Sequence, residues 1–302
     1  MNKMNIKIKY SLIIGMIVIV VISFIILQAN NDNKDSLKSK DIISHIHGIA
    51  VDKEDSNRLY IATHHGLFVL IDDNQLYQIG AAEDDLMGFS LDPKYPNIVY
   101  SSGHPSTGGN LGFQKSDNKG ITWKKIANGV NGPVDFHAMI VHAANQMNIF
   151  GWHDGMLQRS IDNGKTWNLV NAEIPSVLVL ASDSINENKI YAGTIKGLIV
   201  SNDKGNSWEF LSEQLKEKMI IALAVHPKDP SKMFSFSKEL GLTRSVDNGA
   251  TWENIRKNQL FDNEIITHIT FDTNNPEVMY FATKDNSIYK SIDSGNTWEK
   301  IK

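Results

Sequence analysis

Ten histidines stand in this 302-residue chain, and eight of them fall at two kinds of place. Half of the eight precede or begin short apolar segments, and half stand in the loops that follow: His45, His47, His137 and His268, then His64, His65, His104 and His153. Imidazole changes its charge near neutral pH and is the commonest metal ligand in proteins. The set can therefore bind a divalent transition metal or supply general acid and base groups.

Carboxylates accompany the histidines. Asp84 and Asp85 precede one apolar segment, and Asp135 precedes the next. Hydrolysis of a glycosidic bond uses two carboxyl groups, so Asp135 with Asp84 or Asp85 is the candidate catalytic pair. Trp152 stands beside His153 and joins the candidate ligand-binding residues, which are His47, His64, His65, His104, His137, His153, Trp152 and His268.

The metal hypothesis assigns His47, His104, His137 and His153 as ligands of one ion. His47 and His137 occupy the same repeat position, and so do His64 and His153 when Gly66 is aligned with Gly155. No spacing among them matches a known metal motif. The alternative for each single histidine is that it only forms hydrogen bonds with polar groups at a tight channel rim.

These residues sit on a repeated framework. A segment of the form Ser-x-(Asp/Asn)-x-Gly-x-(Thr/Ser)-Trp, here called the tryptophan box, occurs at 116–123, 160–167, 201–208, 245–252 and 291–298. The tryptophans follow one another at intervals of 44, 41, 44 and 46 residues. A constant period of this size marks a repeat architecture.

Each repeat predicts four short strands. An apolar strand and a proline- or asparagine-containing turn lead to a second strand rich in aromatic and β-branched residues; a third strand enters the box and a fourth leaves it. Six such units fill residues 45–302, which is typical of a six-bladed β-propeller. The first unit lacks the box, and the last ends with its own fourth strand, Trp298–Ile301. We therefore expect six whole blades that close by face packing.

The box resembles the Asp-box, or BNR repeat, of bacterial sialidases and sortilin-like propellers; the whole chain from residue 45 is similar to bacterial envelope propellers labelled glycosyl hydrolases. The resemblance implies that the box lies on the outer rim with a structural role and that ligands meet the opposite, histidine-bearing end of the channel. Asn118 replaces the aspartate in the first box. The structural box residues are then Asp162, Asp203, Asp247, Asp293, Trp123, Trp167, Trp208, Trp252 and Trp298.

The resemblance to sialidases raises the question of whether this chain has their substrate-binding arginines. Sialidases hold their substrate carboxylate with three arginines, whose planar guanidinium matches a carboxylate. This chain has four arginines, Arg58, Arg159, Arg244 and Arg256, and none falls at the expected channel mouth. A typical sialidase is therefore disfavoured.

Composition limits the cellular setting. Residues 1–40 carry a net charge of +4 and the whole chain −4, so the remainder carries −8 and lacks the basic blocks of a nucleic-acid-binding protein. There is no cysteine, which excludes disulfides and thiolate chemistry.

The N-terminal segment predicts export. Lys3, Lys7 and Lys9 precede an uncharged apolar run, Tyr10–Leu27, which indicates a membrane anchor or a cleaved signal peptide. We assign residues 1–29 to this segment, 30–44 to a flexible tether and 45–302 to the propeller outside the cell membrane.

Three functions fit these observations. The first is a membrane-anchored propeller with a histidine-rich ligand site that hydrolyses a glycan. The second is an envelope protein that binds a divalent transition metal. The third is a non-catalytic propeller that binds an envelope protein, as sortilin-like or photosystem-assembly propellers do.

Overall fold

A computed structural model describes residues 37–170, 173–255 and 264–302 of the chain. The predicted anchor or signal segment and residues 30–36 of the tether lie outside the described residues. Within the described ranges, no helix has the length and apolarity needed to cross a bilayer. Residues 39–302 form one compact unit that contains every blade.

The described chain is all-β, apart from one turn of 3-10 helix at Glu213–Leu215. Six sheets follow one another, each built on four consecutive antiparallel strands, so the prediction of a six-bladed propeller is confirmed. The sheet of blade 1 has a short fifth strand, β1 (Leu37–Ser39), beside the fourth strand of the blade.

The strands of blades 1 to 3 are β2 (Ile46–Val51), β3 (Arg58–Thr63), β4 (Gly66–Ile71), β5 (Gln75–Ile79); β6 (Asp85–Leu91), β7 (Val99–His104), β8 (Phe113–Ser116), β9 (Lys124–Ala127); β10 (Ala138–Val141), β11 (Ile149–His153), β12 (Met156–Ser160) and β13 (Asn168–Leu169). Those of blades 4 to 6 are β14 (Val177–Ser182), β15 (Ile190–Thr194), β16 (Gly197–Ser201), β17 (Glu209–Phe210); β18 (Ile220–Val225), β19 (Met233–Ser237), β20 (Gly241–Ser245), β21 (Glu253–Asn254); β22 (Ile266–Phe271), β23 (Met279–Thr283), β24 (Ile288–Ser291) and β25 (Glu299–Lys300).

The ring closes between blades 6 and 1 without exchange of the blades' own four strands. The apolar faces of the two blades share one core, in which Ile61, Tyr280 and Ile288 are buried. Polar contacts support the closure: the backbone N–H of Ile46 donates to Asn286 Oδ1 at 3.1 Å, and Lys290 Nζ lies 2.6 Å from Asp73 Oδ2. Face packing therefore closes the ring, as expected.

Each tryptophan box forms a local turn on the outer part of its blade. In the box 160–167, the hydroxyl of Ser160 accepts from the N–H of Gly164 at 2.8 Å, and Asp162 accepts from the N–H of Thr166 at 2.9 Å. The indole N–H of Trp167 donates back to the Gly164 carbonyl at 3.0 Å, while its ring packs against Phe113 of the preceding blade. The box thus links its own turn to the neighbouring sheet.

A bulge near the start of the inner strand aims the side chains of the channel mouth. In blade 1 the pairing shifts between Ile46 and Gly48, which leaves His47 as the extra residue. The same shift occurs in blades 2, 4, 5 and 6, where the extra residues are Met87, Leu178, Ile221 and Thr267. In blade 3 both His137 and Ala138 oppose Trp152, so His137 is the equivalent residue. A bulge re-aims a side chain out of the regular ladder.

Candidate functional site at the channel mouth

A cavity of about 840 Å³ opens at one end of the channel. Blades 1 to 3 contribute polar side chains to its lining, namely His47, His104, Asp135, His137, His153 and Asp154. Blades 4 to 6 contribute the apolar side chains of Val177, Leu178, Met219, Ile221 and Ile265, and the polar ones of Lys238, Thr267, His268 and Lys284. The carboxylates and most of the imidazoles that line the cavity therefore come from blades 1 to 3.

The most exposed cluster lies at the junction of blades 2 and 3 and consists of His104, Asp135 and His137, here called the second junction group. His104 ends β7, and the other two residues precede β10. The Nε2 atoms of His104 and His137 lie 3.0 and 2.6 Å from the same carboxylate oxygen, Asp135 Oδ2. The Asp135 side chain is 3% exposed, whereas those of His104 and His137 are 41% and 61% exposed. A buried carboxylate thus stands behind two accessible imidazoles.

The loop between β7 and β8 fixes the orientation of His104. Its Nδ1 lies 2.9 Å from the Gly109 carbonyl oxygen, which can only accept, so Nδ1 carries a proton. Gly108 and Gly109 have φ of 88° and 87°, a conformation that glycine adopts without strain. In a neutral ring, Nε2 then presents its lone pair toward Asp135. Two facing lone pairs require a proton or a cation between them.

A second cluster lies at the junction of blades 1 and 2 and consists of His47, His64 and Asp85, here called the first junction group. His64 Nδ1 lies 2.5 Å from Asp85 Oδ2, and His47 Nε2 lies 3.3 Å from Asp85 Oδ1. The rings of His47 and His64 meet edge to face at 4.4 Å, and the ring of His45 lies within 5.5 Å of both. Two imidazoles therefore contact one carboxylate, and a third imidazole packs against both of them.

Blade 2 joins the two groups. Asp85 and His104 are direct partners in the ladder between β6 and β7. The Asp85 side chain contacts histidines of blade 1, and the His104 side chain contacts blade 3. The groups also correspond in the repeat, because Asp85 and Asp135 both stand two residues before the bulge residue of their blade.

Burial and charge set the protonation of these histidines. Burial first, and then the neighbouring imidazoles, lower the pKa of His47 to about 3. Burial also lowers the pKa of His268 to about 4, although its ring hydrogen-bonds to the backbone of His47. The hydrogen bond to Asp135 raises the pKa of His137 above its usual value, against the effect of burial.

The structure brings together some predicted site residues and separates others. His47, His104 and His137 belong to the two groups, whereas the fourth predicted metal ligand, His153, donates from Nδ1 to the Asp135 backbone carbonyl at 2.7 Å. Trp152 is buried but lines the cavity. His65 is exposed beside the first group, and Asp84 accepts from the Ser106 N–H at 3.2 Å. The candidate catalytic carboxylates Asp85 and Asp135 therefore lie in different groups.

The donor sets fit a transition metal. In each group two imidazole nitrogens and one carboxylate oxygen lie within 4.8 Å of one another. Three buried atoms in the groups have no hydrogen-bond partner: His47 Nε2, Asp85 Oδ1 and Asp135 Oδ1. Unpaired buried acceptors are costly, and a cation that accepts their lone pairs would remove the cost. A metal-ligating histidine usually donates its other N–H to a carbonyl, as His104 does.

The described arginines lie away from the mouth. Arg58 lies 3.8 Å from the buried Asp52, Arg159 donates to the Lys204 carbonyl, and Arg244 pairs with Glu253. Arg256 lies outside the described residues. None of the three described guanidinium groups lines the cavity at the channel mouth.

Comparison with known proteins places the fold. No protein-family model and no curated protein sequence matches the chain. Among solved structures, a GH74 xyloglucanase from Xanthomonas campestris matches 87% of this chain with a TM-score of 0.62 and 16% identity. A GH74 enzyme from Niastella koreensis matches 88% with a TM-score of 0.63 and 18% identity. This chain spans 46% of each of those two chains.

A different kind of propeller is similar over nearly its whole length. The YCF48 protein bound to a D1 peptide matches 88% of this chain and 84% of its own, with a TM-score of 0.56 and 13% identity. At these identities the likeness concerns the fold, and fold alone does not determine function.

Proposed function

We propose that the channel mouth binds a divalent transition metal through His104, Asp135 and His137. The observation that carries the proposal is the convergence of two Nε2 atoms on Asp135 Oδ2, at 3.0 and 2.6 Å, with Asp135 Oδ1 buried and unpaired. Two imidazoles and a carboxylate suit zinc, iron(II), manganese or cobalt. The exposed side of the histidines leaves room for a further ligand from the cavity.

Metal stoichiometry tests the proposal. The protein is stripped with a chelator, incubated with Zn²⁺ or Co²⁺, dialysed and analysed for bound metal. We expect Asp135→Asn to lose the metal of the second junction group, because its neutral amide is a weak metal ligand. Asp154→Asn is the matched control, since this carboxylate is 80% exposed at the same mouth and belongs to neither group. The proposal fails if Asp135→Asn retains as much metal as the unchanged protein.

Glycoside hydrolysis is a second candidate, favoured by one observation. Asp85 and Asp135 stand at equivalent positions of neighbouring blades, Asp135 lines the open cavity, and two carboxyl groups are what such hydrolysis needs. The similarity to GH74 enzymes supports this candidate through the fold alone. The test is release of reducing sugar from β-glucans and cell-wall glycans. Loss of that release in both Asp85→Asn and Asp135→Asn, with unchanged release in Asp154→Asn, would favour the hydrolase.

We also propose that the propeller is a member of the Asp-box class held outside the cell membrane. The five boxes support the class, because each serine hydroxyl accepts from the glycine N–H at 2.7 to 2.9 Å. The basic and apolar N-terminus supports export. Fractionation of the native host with protease shaving of intact cells tests this placement; a protease-protected protein in the cytosol would contradict it.

An interaction role is a further candidate, because a propeller of similar length is known with a bound peptide. Under this candidate the aliphatic half of the mouth, with Leu178, Met219 and Ile221, contacts an envelope protein. Crosslinking on intact cells followed by mass spectrometry tests it. A partner that is lost on Leu178→Asp would support this role, and an unchanged crosslink pattern would contradict it.

A further inference from the structure

The first junction group differs from the second in burial and in the blades that supply its ligands. The side chains of His47 and Asp85 are 12% and 16% exposed, and that of His64 is 39% exposed. Both histidines come from blade 1 and the carboxylate from blade 2. In the second group, blade 2 supplies one histidine, and blade 3 supplies the other histidine and the carboxylate. Each group thus bridges one junction between blades.

The unpaired atoms concentrate in the first group. His47 Nε2 and Asp85 Oδ1 face one another at 3.3 Å, yet neither makes a hydrogen bond. Both atoms are buried, so bulk water does not reach them to form the missing hydrogen bonds. An ion between them would contact a nitrogen and an oxygen that otherwise have no partner, and His64 Nδ1 is at hand beside the other oxygen of the same carboxylate.

Two neighbouring histidines contact this group. His45 has a φ of 47° and lays its ring against those of His47 and His64. His268 of blade 6 hydrogen-bonds to the backbone of His47. The bulge at His47 therefore lies between the ring closure and the first junction, and an ion held there would stiffen both.

We propose that His47, His64 and Asp85 bind a second divalent transition metal, and that this ion is structural. The inference rests on the proposed function in that the second junction group is taken to bind the exchangeable metal. A structural site is closed by protein ligands, whereas a site that acts on a ligand keeps an open position. The first group can offer four donor atoms, which are His47 Nε2, His64 Nδ1 and both carboxylate oxygens of Asp85, and the side chains of His47 and Asp85 are largely buried, so it fits the first description. The second group has two exposed histidines and fits the second description. The chain then binds two metals, with different roles.

The experiment measures stoichiometry and thermal stability together. The full chain is stripped, loaded with Zn²⁺ or Co²⁺ and dialysed, and bound metal and the midpoint of thermal unfolding are recorded. We expect two ions per chain in the unchanged protein and one in Asp85→Asn and in Asp135→Asn. The rise of the unfolding midpoint on loading should be much smaller in Asp85→Asn than in Asp135→Asn, because a buried ion held by protein ligands should bind more tightly, and so stabilise the fold more, than the exposed exchangeable ion.

His64→Gln is the second variant, since this partly exposed side chain can be replaced with less risk to the core than Asp85. We expect it to show the same loss of one ion and of most of the stability gain. His226→Gln is the control, because it removes an imidazole from the opposite end of a blade and should leave both ions. The absorption of bound Co²⁺ reports the ligand set directly and should lose one component in each variant.

The outcomes separate this inference from the proposed function. One ion per chain that disappears in Asp135→Asn and persists in Asp85→Asn would overturn the second site and leave the first proposal standing. One ion per chain that disappears only in Asp85→Asn would overturn the proposed function and leave the site of the first junction group standing. Two ions whose loading leaves the unfolding midpoint of the unchanged protein where it was would overturn the structural role.

Discussion

The Nδ1 atom of His153 lies 2.7 Å from the backbone carbonyl oxygen of Asp135, which ties the end of β11 to the segment that carries the carboxylate. His153 therefore positions Asp135 without joining the second junction group. Removal of a residue that orients a metal ligand typically weakens affinity by about 10- to 100-fold.

His153→Leu should accordingly bind Zn²⁺ with an affinity reduced by about 10-fold or more, and should keep its stoichiometry. Competition with a chromogenic chelator measures the affinity. His226→Gln serves as the comparison, and an affinity of His153→Leu equal to that of the comparison would show that Asp135 is positioned by the rest of blade 3. A lost stoichiometry would instead make His153 a ligand.

A buried tyrosine and aspartate stabilise the other end of blade 1. The hydroxyl of Tyr60 donates to Asp52 Oδ2 at 2.7 Å, and Asp52 also accepts from the N–H of Glu54 and from Lys119. Tyr60→Phe should lower the free energy of unfolding by about 1.5 kcal/mol, since a bond to a charged group is lost. Tyr77→Phe is the control, because its hydroxyl bonds at the exposed surface. Urea unfolding compares the two; equal midpoints would contradict the prediction.

The box glycines differ in the space around them. Gly164 and Gly205 have φ of 83° and 91°, so alanine is strained at both positions. A Cβ on Gly164 would overlap the ring of Phe113, whereas one on Gly205 would meet its nearest neighbour, Leu157 Cδ2, at 3.4 Å. Gly205→Ala should cost about 1–2 kcal/mol from the backbone alone. Gly164→Ala should cost clearly more, and equal losses in urea unfolding would show that Phe113 moves freely.

A buried histidine makes stability depend on pH. Burial lowers the pKa of His142, whose Nε2 bonds to the Lys189 carbonyl at 3.1 Å, so the unfolded chain takes up its proton first as pH falls below 6.5. The stabilising contribution of neutral His142 is then complete above this pH and declines below it. Between about pH 7 and pH 5, the free energy of unfolding should fall less in His142→Gln than in the unchanged protein. Urea unfolding at the two pH values measures both. An unchanged slope would contradict the assignment.

The blade count followed from the sequence because the boxes recur at nearly constant spacing and each contains the turn that ends a blade's third strand. The candidate residues Asp85 and Asp135 also followed, since they precede apolar segments in two successive repeats, and so did His47 and His137, which share one repeat position in blades 1 and 3. The convergence of these side chains could not be predicted from the sequence. It depends on the bulge, which adds one residue to the inner strand and has no characteristic residue type.

The equivalence of His64 and His153, which the sequence alignment predicts, does not hold in the strand register. Alignment on Gly66 and Gly155 makes His64 equivalent to His153. The ladders pair Thr63 with Gly66 and His153 with Met156, so His153 is level with Thr63, and Asp154 is level with His64. A shift of one residue moves a side chain to the other face of a strand. Because of this shift, His153 bonds to the backbone instead of entering a junction group. Alignment of the two hairpins on the first residue of the third strand, Gly66 with Met156, gives the correct equivalence.

The turns built by the tryptophan boxes have a consequence for the outer edge of the ring. In blades 3 to 6 the strand that follows the box is only two residues long: Asn168–Leu169, Glu209–Phe210, Glu253–Asn254 and Glu299–Lys300. A sheet edge recruits another chain through its row of unpaired N–H and C=O groups. Edges this short offer almost no such row, so at high concentration these blades should resist edge-to-edge aggregation even though their sheets are open at the circumference.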